Sequence, residues 1–225
     1  MNPHAKTAVV TGANSGIGLA LTKKLLAEGY RVIGPARTGQ IDGLSDANLT
    51  VIPLDITDAA STDQAVARLG QLTQGIDLLV NNAGIAPDVM SMTAPDRKAF
   101  HDTFATNVDG TVFFTEPMLA LLRDGAQVVF ITSNMGLPSQ AGPNGPAYRL
   151  SKAAVNMYAA MLAQRVADRG IRVTPMHPGW VQTRLGGDSA PFTPEQAAEG
   201  IFCGIEARPE SGQFWNVETN AVMAY

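Results

Sequence analysis

Tyr148 and Lys152 stand four residues apart in the stretch AYRLSKAAVNMY, residues 147–158. On a helix, positions i and i+4 share a face, so the phenol and the ammonium point the same way. A phenol titrates near ~10 in water, and a neighbouring ammonium favours its ionised form. Such a pair gives a tyrosine able to exchange a proton near neutral pH. A surface tyrosine beside a solvated lysine has the same spacing, so the pair needs support from the rest of the chain. The preceding segment GLPSQAGPNGP (136–146) is full of breakers, and Pro146 suits the first turn of a helix because its missing N–H is not needed there.

A second chemical signal is TGANSGIG, residues 11–18, directly after an apolar run. Gly12, Gly16 and Gly18 permit a tight turn and a close backbone approach, and the N-terminus of the helix beyond them favours a pyrophosphate. The spacing is Gly-x-x-x-Gly-x-Gly, and a glycine cluster becomes informative through its place between strand and helix. A third signal is Arg37. Residues 31–40 contain no Asp or Glu to receive a ribose 2′-hydroxyl, while a guanidinium fork at Arg37 suits a 2′-phosphate. The expected cofactor is therefore NADPH, with NAD a lesser alternative.

These groups need elements to position them. TAVV (7–10), RVIG (31–34), LTVIPL (49–54), IDLLV (76–80), QVVFIT (127–132) and IRVTPM (171–176) read as buried strands, and GQFWNV (212–217) as a seventh. Helical patterns occupy about 16–28, 59–72, 96–122, 147–169 and 194–207, the third of them interrupted by Gly110 and Pro117. Strands apolar throughout and separated by helices indicate a parallel sheet covered on both faces. The fold class predicted is a doubly wound (Rossmann) α/β sheet of about seven strands forming one domain over residues 1–225. Its short C-terminal part, about 184–225, would shape the substrate side. Ligands in such folds bind beyond the carboxyl ends of the strands, where strand order reverses.

The chain has 225 residues, 45% of them hydrophobic, which is ample for a substantial core. A net charge of −4 opposes nucleic-acid binding, since a phosphate-reading surface needs a basic excess. No apolar run approaches the ~18 residues of a membrane span, and a cytoplasmic location is expected. Cys203, the single cysteine, lies in an apolar helical pattern and reads as a small core residue. His4 and His101 have no metal-like companions, so no metal site is expected, and His177 reads as a structural residue at a strand end.

TGANSGIG, LDITD (54–58), NNAG (81–84), TNVDG (106–110), ITSNMG (131–136), YRLSK (148–152) and HPGWVQT (177–183) together resemble the short-chain dehydrogenase/reductase family. The motifs keep the family's order over residues 7 to about 183, and the last three most resemble its small carbonyl-reductase branch of C-factor and sniffer-type proteins. The resemblance implies a catalytic set. Tyr148 would protonate a carbonyl oxygen, Ser133 would hold that oxygen, and Lys152 would lower the tyrosine pKa and bond the nicotinamide ribose. Asn107 would anchor a water relaying protons to Lys152. Ser15, Gly16, Ile17 and Gly18 would meet the pyrophosphate, and Asp55 and Ile56 would flank the adenine. Asn82, Ala83 and Gly84 would line the cofactor cleft, while Pro178, Gly179 and Thr183 would face the nicotinamide amide. Relatives using NADP often carry a basic residue where Ser15 stands, so half of the usual phosphate clamp is missing here.

The implied activity is NADPH-dependent reduction of a small to mid-sized ketone or aldehyde, or the reverse oxidation of an alcohol. The competing reading is a cofactor-binding regulatory protein with little turnover, which a broken Asn–Ser–Tyr–Lys set would favour. All four residues are present. Neither nucleic acid nor membrane is an expected partner. Family members commonly pair through the helices at about 96–122 and 147–169, so a homodimer is expected, with tetramer and monomer as alternatives. Gly186 and Gly187 are expected to make the short segment after Thr183 mobile.

Overall fold

The apolar runs assemble side by side in the computed structural model, which describes residues 5–225; His4 lies outside that range. Strands β1 (Thr7–Val10), β2 (Arg31–Ala36), β3 (Leu49–Pro53), β4 (Ile76–Asn81), β5 (Leu122–Ile131) and β6 (Arg172–His177) are mutually parallel. Two short strands follow, β7 (Phe214–Asn216) parallel to β6 and β8 (Ala221–Met223) antiparallel to β7. The order β3-β2-β1-β4-β5-β6-β7-β8 makes a doubly wound sheet of eight strands rather than about seven. The eighth escaped prediction because it is three residues long, with Ala221 and Val222 exposed and no alternation to read.

Helices cover both faces of the sheet: α1 (Gly16–Ala27), α2 (Ala59–Leu72), α3 (Arg97–Phe104), α4 (Thr111–Met118), α5 (Pro146–Arg165) and α6 (Pro194–Ala207). Successive strand residues point to opposite faces, so Val9 and Val10 enter different cores. One core gathers Leu69, Phe114, Phe130 and Leu162; the other gathers Leu21, Leu25, Ile201 and Trp215. Burial on both faces is why these strands read as apolar throughout.

Several boundaries differ from expectation. β5 begins at Leu122, which pairs with Ile76 before the register shifts at a bulge. Exposed Arg123–Gly125 mask this early start. The helix expected at 96–122 is not split at Gly110 or Pro117. It runs from α3 to α4 through a π turn at Ala105–Gly110. Glycine is required at 110 because a Cβ there would lie 2.6 Å from the Ile56 carbonyl oxygen. The helix expected to end at 169 stops at Arg165 and is followed by a 3₁₀ turn at Ala167–Arg169. Cys203 is exposed, not in the core, because α6 buries the stripe Ala197, Ala198, Ile201, Gly204 and Ile205 instead. Among the described residues no helix is long and apolar enough to cross a membrane.

Candidate active site

Strand order reverses between β1 and β4, and the loops leaving these two strands are tied together there. The Thr11 hydroxyl accepts the N–H groups of Asn82 and Ala83, each at 3.0 Å. The Asn82 amide donates back to the Thr11 carbonyl at 2.8 Å. Gly12 and Gly16 take left-handed φ values of 66° and 52°, which a side chain would resist. Gly18 is needed for space, since its Cβ would sit 2.3 Å from the Gly12 carbonyl oxygen. The result is a rigid glycine turn whose following helix, α1, has its N-terminus open. Ser15, at the N-cap, is exposed and makes no side-chain capping bond.

Across the cleft, the first turns of α5 carry Tyr148 and Lys152, both buried. The Lys152 ammonium lies 5.6 Å from the centre of the Tyr148 ring and donates to the Ile131 carbonyl at 3.0 Å. Burial drives the two groups in opposite directions. It pushes the Tyr148 phenol up to about 12, against a hydrogen bond with Ser133 that acts the other way. It brings the Lys152 ammonium down to about 8. The phenol is thus raised rather than lowered as the spacing suggested, because desolvation dominates. Ser133 lies two residues beyond β5, and its hydroxyl also accepts the Met135 N–H at 3.1 Å. It therefore serves as cap and as phenol partner together.

Asn107 sits inside the π turn and is buried. Its Oδ1 accepts the Ile85 N–H at 2.8 Å, and its Nδ2 donates to the Ile85 carbonyl at 2.9 Å and to Ser151 Oγ at 3.0 Å. Both amide hydrogens are thus committed to joining the β4 loop to α5. A bound water would find a lone pair on Oδ1 and the main chain, but no donor from this side chain.

Two residues that carry no sequence signal hold the substrate side. Gly145 supplies no capping side chain to α5; the carboxylate of Asp88 does so instead, accepting the N–H groups of Ala147 at 2.7 Å and Tyr148 at 3.2 Å. Arg149 donates to the carbonyls of Asn144 at 2.7 Å and Gln140 at 2.7 Å, gathering the irregular loop against the helix. The segment after Thr183, expected to be mobile, is cross-tied. Gln182 and Phe192 share a backbone bond of 2.8 Å, and the Trp180 indole N–H donates to Gly186 at 2.8 Å. Thr183 itself arches over the glycine turn, its methyl 3.1 Å from where a Gly16 Cβ would be.

These walls enclose a cleft of about 1170 Å³. Gly12, Ser15, Gly16 and Ile17 line one end with Arg37, Asp55 and Ile56. Along the strand order Asn82, Ala83 and Gly84 follow after β4, then Ser133, Tyr148 and Lys152 from the β5 loop and α5, with Pro178 and Gly179 after β6, while Thr183 returns over the glycine turn. Two expected site residues stand behind the walls: Gly18 beneath the glycine turn and Asn107 behind Gly84. Asp55 is lowered from the usual carboxylate value by hydrogen bonds from the Thr57 hydroxyl and backbone. His177, buried at the end of β6, lies 3.5 Å from the Glu218 carboxylate, and desolvation holds its imidazole below the usual range. Its place fits a structural strand-end residue.

The model of the short chain dehydrogenase family matches residues 6–192. The chain belongs to that family. A Haemophilus influenzae protein described as a probable NADP-dependent dehydrogenase is 35% identical over 77% of this chain and 70% of its own. Among solved structures, the carbonyl reductase Sniffer of D. melanogaster superposes with a TM-score of 0.90 at 27% identity, covering 99% of this chain and 100% of that one. The NADPH-bound carbonyl reductase from chicken fatty liver superposes with a TM-score of 0.86 at 29% identity, covering 98% and 99%. As a short-chain dehydrogenase, the protein is an oxidoreductase, and its cleft lies where the family's doubly wound sheet opens.

Proposed function

We propose that this short-chain dehydrogenase is an NADPH-dependent carbonyl reductase. The observation that carries the reading is that Ser133, Tyr148 and Lys152 line the same cleft as the glycine turn and Arg37. Features of the chain fit the dinucleotide. The glycine turn lines the cleft, the Ser15 hydroxyl makes no capping bond, and Arg37 has no ion-pair partner among the described residues. Glycine at 84 suits the close approach of Asn107, whose Oδ1 would stand 3.3 Å from a Cβ there. The relatives described as NADP-dependent or NADPH-bound support the same cofactor.

When bound, the cofactor supplies hydride to the carbonyl carbon, leaving negative charge on the oxygen. Tyr148 donates its phenolic proton to that oxygen, and the Ser133 hydroxyl orients it by a hydrogen bond. Lys152, charged below about pH 8, faces the phenol and stabilises the phenolate as it forms. Asn107 keeps the β4 loop and α5 in register behind them. Met90, Trp180 and Leu185 are exposed apolar residues on the cleft wall, which favours small to mid-sized carbonyls with an apolar part. NADPH oxidation against a panel of aldehydes, ketones, quinones and enones tests this. Tight NADPH binding without reduction of any of them would transfer the reading to a regulatory protein.

The cofactor preference is expected to be at least about tenfold for NADPH in kcat/KM, about 1.4 kcal/mol, which one charge-assisted arginine–phosphate contact supplies. Arg37→Asp should abolish or reverse it, by repelling the 2′-phosphate and offering the ribose an acceptor. Equal use of NADH and NADPH by the unaltered protein would make Arg37 a solvated loop residue.

A homodimer through α4 and α5 completes the proposal. Leu150, Met157 and Met161 form an exposed stripe on α5 beside exposed Phe113 on α4. Contiguous exposed apolar surface of this kind marks interaction faces. Light scattering should give twice the chain mass, and a monomer at high concentration would contradict it.

A further inference from the structure

The helix that presents Tyr148 has no cap of its own. Gly145 occupies the N-cap position in the left-handed conformation, φ 63° and ψ 49°, and offers no side-chain acceptor. The first N–H groups of a helix lack intrahelical partners, and inside a protein each must be satisfied from elsewhere. Asp88, buried at 8% exposure, reaches across from the β4 loop and takes two of them. One of the two belongs to Tyr148 itself.

The same short segment grips the chain on the other side of Gly145. The Val89 carbonyl accepts the Asn144 amide at 2.7 Å, and the Ser91 carbonyl accepts the Gly145 N–H at 3.0 Å. Asp88 is braced in turn by the Ser91 N–H, which its carbonyl accepts at 2.8 Å. Gly145 must be glycine for this approach, because a Cβ would fall 3.1 Å from the Val89 carbonyl oxygen. Residues 88–91 therefore clamp the entry to α5 from sixty residues upstream. Val89, Met90 and Asn144 from the clamp line the cleft with Tyr148.

We infer that Asp88 is a positioning residue for the reduction: its carboxylate fixes the first turn of α5, and hence the phenol of Tyr148, against the substrate wall. It touches no reacting atom and acts only through the backbone N–H of the residue that does. The geometry is also economical in charge, since a carboxylate at a helix N-terminus complements the helix dipole. The inference rests on the carbonyl-reductase reading for its catalytic part, while the structural part can be read without turnover.

Asp88→Ala and Asp88→Asn test it. The first removes both acceptors; the second keeps one acceptor oxygen in nearly the same shape. Three quantities are measured on each: backbone hydrogen exchange over residues 145–150, NADPH affinity by fluorescence titration, and kcat and KM on the best carbonyl substrate, per NADPH-binding site. In Asp88→Ala, exchange over 145–150 should rise and kcat should fall by about 10- to 100-fold, the loss that a displacement of about 1 Å produces at a reacting group. NADPH affinity should stay unchanged, and Asp88→Asn should fall between wild type and Asp88→Ala. Unchanged kcat, unchanged exchange over 145–150, or parallel loss of NADPH affinity, kcat and melting temperature would each overturn the inference. If Asp88→Ala does not fold, Asp88→Asn is judged by the same readings. A wild type that reduces no carbonyl would sink the functional reading, and exchange over 145–150 would still decide whether Asp88 holds the helix.

Discussion

Tyr148→Phe is expected to cut carbonyl reduction by about 10²–10⁴-fold, the usual share of a positioned proton donor, with the fold and NADPH binding preserved. The ring is buried at 7% exposure, and phenylalanine refills its space while removing only the hydroxyl. Burial raises the phenol to about 12, so the O–H form is the one present at neutral pH. That is the form reduction requires. Oxidation of the alcohol requires the phenolate and should speed up with rising pH, whereas reduction should not. The comparison is made on the best substrate, with NADPH affinity measured in parallel. A phenylalanine variant that reduces that substrate at near-normal rates would remove Tyr148 from the mechanism.

Lys152→Met should be at least as damaging to turnover, and it carries a second signature in stability. The folded-state ammonium titrates near 8, below its ordinary value of 10.5, because burial penalises its charge. Between those two values the unfolded chain holds a proton that the folded chain has released, so Lys152 makes stability rise with pH across that window. Below about 8 the folded protein carries a buried charge, the least favourable condition. Methionine removes that charge. The variant should therefore be the more stable form near pH 7, and its advantage should shrink as pH climbs toward 10.5. Urea titrations at both ends of the range measure the gap. A gap that does not change with pH would mean the lysine is not held low. For turnover, combining Lys152→Met with Tyr148→Phe should cost little more than the worse single change, since both act on one proton transfer.

Much of this was legible in the chain itself, for reasons that differ by element. β1, β4 and β6 lie between neighbours and are buried on both faces, so continuous apolar runs mark them within a residue or two. Tyr148 and Lys152 were legible because helix periodicity is local, and the glycine turn because 12 and 16 need conformations that side chains resist. What escaped is held by contacts distant in sequence or by backbone geometry without a residue signature. Asp88 caps a helix about sixty positions away, and nothing near it in the chain announces a cap. Arg149 carried no signal of its own in the chain, and its guanidinium is committed to the carbonyls of 140 and 144. Spacing also suggested a lowered phenol where burial raises it, because spacing does not report desolvation.

The π turn at Ala105–Gly110 turns chain length into a constrained property. Buried positions Thr103, Asn107, Thr111 and Thr115 recur every four residues. On an α-helix of 3.6 residues per turn, that interval drifts by about 40° at each step. A π turn winds more slowly and takes the drift back, so all four stay on the inner side. The segment is therefore constrained in the number of its residues as well as in their kind. Loss of one residue here would let the helix relax to an ordinary pitch and rotate what lies on either side of the break. Either the Asn107 amide would leave Ile85 and Ser151, or Phe114 and Met118 would leave the core. Insertions and deletions, and not substitutions alone, are what this stretch cannot absorb.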